Sequence, residues 1–325
     1  DDVLKGLRKT GTLEEATGWF MEAYLSPHPD HAGLAGEIQA ASGAEVFVHH
    51  ADAPIVDGRE KPLMDDPDLQ RETFENWGLP DDKQEELMDF FASVGAEMAG
   101  RTASVTELSD GDEFTAGGVD LEAVHLPGHT SGLTGFVFDP AAVAEDGSET
   151  GVAFGTDSDT SETPTDGLFS GDAILPKYTP NVGGADIRVD EPLAAYAQSL
   201  VRLVERDFDI AYPGHRGRIT DPSLRAATTL EHHRTRTERV IEVLGGLETA
   251  TPWDVSAELF GSLSEIHILH GPGEAFAHLD HLASAGVAER TGSRYRLIDP
   301  DVAVDSLFPT TGLDHLTTGH GDDAS

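Results

Sequence analysis

The chain contains no cysteine, so it can form no disulfide, use no thiol nucleophile and offer no thiolate to a metal. It is poor in basic residues: Lys and Arg number 21 against 60 Asp and Glu, giving a formal charge of −39. Nucleic acid is therefore not expected as a partner, because binding it draws on Lys and Arg that displace condensed counterions. No apolar run approaches the roughly 20 residues of a membrane span, and no basic-then-apolar signal segment opens the chain. No membrane association is expected, and a cytoplasmic location follows by default.

What the chain has in excess is acid, spread over its whole length rather than gathered in a tail. Its apolar periodicity separates it from a disordered acidic protein. The pattern resembles the cytosolic proteins of salt-in halophiles, whose acidic surfaces stay hydrated while concentrated salt screens their repulsion. With 325 residues there is length for a full core and a smaller second domain.

The chemistry gathers first at Ser26-Pro27-His28-Pro29-Asp30-His31. Pro27 and Pro29 disfavour helix at Ser26 and His28, so the three polar side chains are expected on a stiff loop rather than a helix face. Imidazole nitrogen and carboxylate oxygen suit a divalent ion such as zinc, although such a run taken alone is more often an ordinary polar loop. Three later stretches repeat the theme: His125-Leu126-Pro127-Gly128-His129-Thr130-Ser131-Gly132, then Phe169-Ser170-Gly171-Asp172-Ala173, then Ala211-Tyr212-Pro213-Gly214-His215. Each sets a His or Asp straight after a short apolar strand and a Gly or Pro turn, which is how a sheet presents ligands from its strand ends.

These four stretches, in this order, resemble the metallo-β-lactamase-fold hydrolases over about residues 4 to 245. Those proteins carry a His-x-His-x-Asp-His loop, a Pro-Gly-His-Thr turn, a Ser-Gly-Asp turn and a late Gly-His. The resemblance implies an α/β fold, a four-layer αββα sandwich, and two metal sites. Asp30, His31 and His215 would hold one zinc ion, with Asp172 bridging to a second held by His28 and His129. Having no cysteine, the chain stands apart from members that ligate metal through Cys. Two ions about 3.5–4 Å apart would lower the pKa of a shared water, and Asp30 would orient the nucleophile or carry its proton. The family's first histidine falls at Ser26, a poor zinc ligand beside imidazole. One firmly bound ion and one weak ion are therefore expected. The same departure would also suit an inactive descendant that binds little metal.

The resemblance also calls for several strands upstream of the first motif, where this chain has only about 25 residues and no initiator Met. It is expected to be cropped or to have lost its start, with helix-like pieces at residues 1–8 and from Thr12 and an apolar run over residues 20–25. A strand is expected over residues 44–49, with His49 and His50 as polar residues off to the side of the site. Two helices joined at Gly78-Leu79-Pro80 should fill residues 65–100, either roofing the site or closing a satellite core. Strands are expected at 105–108, 119–125 and 207–211, and a helix at 192–205 with Leu193, Tyr196, Leu200 and Leu203 on one face. The acidic stretches within residues 139–167 read as a long loop.

Residues 1–220 thus read as the metallo-β-lactamase-like domain and 221–248 as a connecting helix. Residues 249–300 read as a winged-helix-like domain with helices at Thr251-Pro252-Trp253-Asp254 and 273–285 and a hairpin at 286–297. Residues 301–325 read as a disordered tail. The helix, helix, wing order resembles the tail of the β-lactamase-like protein 2 branch. Its second helix carries Glu274 and Asp280 and neither Lys nor Arg, the wrong charge for a nucleic-acid groove, so packing or homodimer formation is the expected role. Lys177, Tyr178, Asn181 and Arg216 are candidates for substrate binding, with surface or packing roles equally open to them. The leading expectation is a hydrolase of a small ester, thioester or lactone, as in glyoxalase II-like branches. A phosphodiesterase or ribonuclease, or a metal-poor binding module, are the alternatives.

Self-repulsion at this charge makes stability depend on salt. The thermal midpoint, followed by circular dichroism, is expected to rise from dilute buffer to molar KCl, with loss of structure at the dilute end. A midpoint indifferent to salt would set that argument aside.

Overall fold

The computed structural model describes residues 28–98, 101–116, 118–141 and 164–317. The elements expected over residues 1–25, Ser26 and Pro27 themselves, and the acidic stretches 145–149 and 156–162 lie outside the described residues.

The chain enters through a one-turn helix α1 (Pro29–Ala32) and α2 (Ala35–Ser42), followed by β1 (Phe47–His49) and α3 (Ala53–Val56). Helices α4 (Pro67–Trp77) and α5 (Asp81–Met98) follow. The strands β2 (Thr106–Leu108), β3 (Glu113–Ala116), β4 (Val119–His125), β5 (Thr134–Phe138) and β6 (Gly167–Gly171) come next. Helix α6 (Pro192–Arg206) then crosses to β7 (Ile210–Pro213). The long helix α7 (Pro222–Gly246), α8 (Pro252–Phe260), α9 (His267–Ser284), the hairpin strands β8 (Ala288–Thr291) and β9 (Arg294–Leu297), and α10 (Asp314–Thr317) complete the chain.

The main sheet runs β3-β4-β5-β6-β7, antiparallel as far as β6, with β7 parallel to β6. A parallel neighbour requires a crossover, and α6 supplies it. Its Leu193, Tyr196, Leu200 and Leu203, at helical spacing, are all buried against the sheet. Of a second sheet, the described residues contain only the parallel pair β1–β2, so a complete four-layer sandwich is not seen among them. Packing against that pair, α2 and α3 close a small core of Ala35, Val46, Val48, Ala53 and Val56.

The C-terminal elements form a core of their own. Val240 and Leu244 of α7, Val255 of α8, Leu279 and Leu282 of α9, and Tyr295 of β9 meet there. The N-terminal half of α7, through Ala226 and Leu230, belongs instead to the main core, so one 25-residue helix is shared by both. Helices α4 and α5 close a satellite core against α9, where Phe74, Trp77, Leu87 and Phe91 meet Ile268 and Leu269. Thr251 caps α8 as its sequence suggests: its hydroxyl accepts from Asp254 N–H while the Asp254 carboxylate accepts from Thr251 N–H.

Several expectations are corrected. Asp30 and His31 lie on α1 rather than in a stiff loop, because Pro29 stands at the first helical position, where a missing N–H costs nothing. The strand near residue 210 starts three residues late, since Asp207 caps α6 in the left-handed conformation, φ 52°. Helix α9 begins at His267 and runs through Gly271-Pro272-Gly273; burial of Ile268 and Leu269 outweighs the local signal to break. The stretch after Val302 is folded through Thr317. Residues Val304–Leu307 form a 3₁₀ turn, Phe308 is buried in the main core, and Arg234 of α7 holds both Pro309 O and the Asp314 carboxylate.

The interior is rich in imidazole. His233 and His278, fully buried between α7 and α9, contact each other at 3.4 Å, and burial holds both well below the ordinary histidine pKa. Burial also pushes buried His49 and His129 down to about 4. All four are neutral in the fold and take up a proton on unfolding below the ordinary value of 6.5. Stability then falls as pH falls, by about 1.4 kcal/mol per pH unit for each such group. His31, with a raised pKa, opposes this in part. Urea unfolding of metal-free protein at fixed high salt is expected to show a steep loss of stability from pH 6.5 toward 4, and equal stability at pH 7 and pH 5 would contradict it.

Candidate metal centre

Each candidate ligand leaves the end of a regular element. His28 precedes α1, and its carbonyl accepts from the N–H groups of His31 and Ala32. His129 sits in the turn after β4, Asp172 directly after β6, and His215 after β7. The β6–β7 register shifts between Phe169 and Gly171, an irregularity of the kind that re-aims the next side chain. Gly214 N–H then bonds Gly171 O at 3.0 Å, which ties the two ligand-bearing turns together.

Tyr196 of α6 secures two of these turns at once. Its hydroxyl donates to Ala173 O at 2.7 Å, beside Asp172. Its side chain lies so close to Gly128, beside His129, that a Cβ there would overlap it. Gly128 also has φ 135°, so glycine is required twice over. The Ser199 hydroxyl, one turn on, donates to Pro127 O. Beyond His129, Thr130 donates to buried Asp52, Ser131 N–H donates to Asp186, and Arg188 joins both carboxylates at 2.6 and 2.7 Å. Tyr196 was marked in the sequence only as an apolar-face residue of its helix, and the Asp52–Arg188–Asp186 bridge was not marked.

The six expected ligands converge. Asp172 Oδ2 lies 3.2 Å from His31 Nε2, 3.4 Å from His215 Nε2 and 3.6 Å from His129 Nε2. Asp30 Oδ2 lies 3.2 Å from His215 Nε2 and 3.8 Å from His31 Nε2. Asp30, His31 and His215 present ligand atoms all within 4.8 Å of one another. The rings of His28 and His129 stand edge to face, centroids 4.9 Å apart. Their outward nitrogens meet backbone carbonyls: His28 Nε2 meets Ala185 O at 2.9 Å and His129 Nδ1 meets Asn181 O at 2.8 Å.

Charge follows this geometry. Burial works against an ionised Asp172, yet the His31 hydrogen bond and the surrounding imidazoles hold its carboxyl below the usual range. Burial likewise works against a charged His31, and Asp172 and Asp30 outweigh it to raise that pKa. Among the described residues, two buried atoms of this cluster have no hydrogen-bond partner, His129 Nε2 and Asp172 Oδ1. An orphaned lone pair beside an orphaned carboxylate oxygen is costly unless something cationic joins them. The donor set of imidazole and carboxylate fits a divalent ion of zinc's kind.

The candidates for substrate binding divide. Tyr178 is partly exposed, with the Arg216 guanidinium 4.6 Å and the Lys177 ammonium 5.3 Å from its ring centre. The Asn181 side chain is instead engaged within the protein, by Gly184 N–H and His270 O. His49 stacks on His125, ring centres 3.9 Å apart.

The family profile described as "Metallo-beta-lactamase superfamily" matches residues 27–139. Among solved structures, a metallo-beta-lactamase family protein from Thermus thermophilus is 28% identical with a TM-score of 0.63, over 84% of this chain and 78% of that one. A beta-lactamase domain protein from Burkholderia ambifaria has the same TM-score at 22% identity, over 85% and 74%; at that identity the likeness concerns the fold. Among curated proteins, the lactamase-like protein aptB of Emericella nidulans is 25% identical over 142 residues. That match spans 44% of this chain and 36% of the relative's length.

A Cβ on Gly214 would stand 2.6 Å from His31 Cε1 and 2.7 Å from Asp172 Oδ1. Gly214→Ala is therefore expected to weaken zinc binding by at least about tenfold, the lower end of what a disturbed supporting residue costs. Far-ultraviolet circular dichroism should stay unchanged. Unaltered affinity in a zinc titration would contradict the packing described.

Proposed function

We propose that the chain is a metal-dependent hydrolase of the metallo-β-lactamase superfamily, a reading supported by the profile over residues 27–139 and the Thermus thermophilus structure, and that it acts on a small ester, thioester or lactone with zinc as its resident ion. The observation that carries this reading is the single carboxylate of Asp172 set 3.2–3.6 Å from three imidazoles of separate strand ends and α1. Asp30, His31, Asp172 and His215 would hold the firmer ion, and His28, His129 and Asp172 the weaker one, with Ser26 at the position of the family's first histidine. A divalent ion there supplies a Lewis acid for the substrate carbonyl and brings the pKa of bound water toward neutrality.

The chain's own groups do the rest. Asp30 is half exposed while His31 and Asp172 are buried, so it is the carboxylate that can meet both the attacking water and the leaving group and carry a proton between them. Asp172 and His31 stay behind it, fixed by burial. Lys177 and Arg216, drawn over Tyr178 beside the His215 turn, suit a substrate with an anionic group. Among the described residues neither takes part in an ion pair, in a chain whose acids outnumber its bases almost threefold. Asn181 has its amide engaged elsewhere and is better placed to brace the site than to touch substrate. We read the fold as one of the αββα class, with α8, α9 and the β8–β9 hairpin as a winged-helix-like unit. The lack of Lys and Arg on α9 favours packing or dimer formation for that unit over nucleic-acid binding.

In molar KCl a simple acyl thioester is expected to turn over, with loss of activity on chelation and return on adding zinc. Asp172→Asn should lower kcat/KM by about 10²-fold or more, a few kcal/mol of lost transition-state stabilisation. Turnover of a phosphodiester but not of the thioester would move the assignment to the phosphodiesterase branch, and turnover of neither would favour a binding role.

A further inference from the structure

We propose that loop 181–185, pressed against α9, selects the ligating nitrogen of both His28 and His129, and that Asn181 is the positioning residue of this device. The proposal rests on the reading of the site as a metal centre.

A backbone carbonyl can only accept a hydrogen bond. His129 Nδ1, 2.8 Å from Asn181 O, must therefore carry its proton, which leaves the lone pair on Nε2. That Nε2 is the buried atom without a partner, facing Asp172 at 3.6 Å. At His28 the nitrogens are exchanged. Nε2 lies 2.9 Å from Ala185 O, so it carries the proton and the lone pair is on Nδ1. Two neighbouring imidazoles are thus set in opposite tautomers by two carbonyls four residues apart on one loop.

The loop holds its shape through Asn181 and through its contact with α9. The Asn181 Oδ1 accepts from Gly184 N–H and its Nδ2 donates to His270 O, each at 3.0 Å. Gly183 has φ 89°, and a Cβ on it would come within 2.5 Å of Gly273 O; a Cβ on Gly273 would overlap Gly184 itself. Backbone therefore meets backbone, with no side chain between to absorb a shift. Helix α9 is fixed in turn from α7, where Arg236 donates to Glu274 at 2.8 Å while lying 4.8 Å from the Phe260 ring centre of α8. The C-terminal helices, which have a core of their own, thereby reach the metal centre through one asparagine and three glycines.

This matters most at the ligand set that has least. With Ser26 at the family's first-histidine position, His28, His129 and Asp172 must hold an ion with fewer strong donors, and their orientation carries more of the affinity. Asn181→Ala removes the side-chain bonds to Gly184 and His270 and the contact with the buried Glu274 carboxylate, and leaves the backbone carbonyl in place. Zinc or Co²⁺ titration in molar KCl is expected to leave the first ion's affinity unchanged and to weaken the second by about 10- to 100-fold, the range for lost support behind a histidine ligand. Asn181→Asp keeps the acceptor for Gly184 but sets a carboxylate against His270 O and the Glu274 carboxylate, and should weaken the second ion at least as much.

Long-range ¹H–¹⁵N correlation on the metal-free parent, with His28→Gln and His129→Gln used for assignment, should give His129 protonated at Nδ1 and His28 at Nε2. In Asn181→Ala the His129 signals should average between tautomers. Equal affinity for the second ion in parent and Asn181→Ala, or the opposite tautomers in the parent, would overturn the proposal. The tautomer measurement needs no metal and no variant of the loop. If the parent bound no metal, the hydrolase reading would fall while the spectra still decided this point.

Discussion

One carboxylate holds the centre together. Asp172 is buried, and a buried charge is costly unless it is paired. Its pairing comes from three imidazoles far apart in the chain: His31 at the entry, His129 after the fourth strand and His215 after the seventh. None of the three could be brought to Asp172 by local structure. For His129 and His215 the main sheet does it, because β4, β6 and β7 end where those turns begin, and α1 brings His31. The sheet's register, the shift in β6 and the absence of a side chain at Gly214 can all be read as conditions for keeping that carboxylate paired.

The support behind the ligands is layered by distance from the reacting face. Closest are backbone atoms, Gly214 N–H on Gly171 O and the carbonyls of Asn181 and Ala185. Behind them Tyr196 and Ser199 of α6 hold the His129 and Asp172 turns. Behind those, the Asp52–Arg188–Asp186 bridge joins the segment after β1 to the turn after β4. Arg188 there spans two buried carboxylates, an arrangement that suits the planar fork of a guanidinium and not a lysine. Bases are scarce in this chain, and those that appear inside it work as braces. The many acids belong mainly to the surface, where hydration and salt determine what they cost.

Three of the candidate ligands, His129, Asp172 and His215, were legible because each follows the same local rule: a short apolar strand, then a Gly or Pro turn, then a His or Asp; His28, Asp30 and His31 stood out only as a dense His-Asp run. Helix α6 was legible from the spacing of Leu193, Tyr196, Leu200 and Leu203, although nothing in that pattern distinguished Tyr196 as the residue that also reaches Ala173. The part played by Asn181 was out of reach for a different reason. Its carbonyl, which meets His129, has no signature in the identity of its residue, and its side chain reaches His270, which only the fold brings near. Gly271-Pro272-Gly273 reads locally as a break, yet the helix continues through it, because the packing of Ile268, Leu269 and Gly273 is tertiary information. The segment after Val302 looked solvated for the same reason: Phe308 and Asp314 gain their places only from the main core and from Arg234.

The two ligand sets around Asp172 are supported differently, and the difference follows from how each is built. Asp30, His31 and His215 gather ligand atoms within 4.8 Å of one another, on one short helix and one strand end that touch directly, through Asp30 and His215, and through Asp172. Little beyond the main sheet is needed to keep them there. His28 and His129 stand edge to face, and one nitrogen of each meets a carbonyl of loop 181–185. That loop depends on α9, and α9 on the C-terminal core. A perturbation of the C-terminal helices should therefore reach one ligand set and spare the other. The route is a short series of rigid contacts rather than a diffuse one, since Gly183, Gly184 and Gly273 leave no compressible side chain between helix and loop.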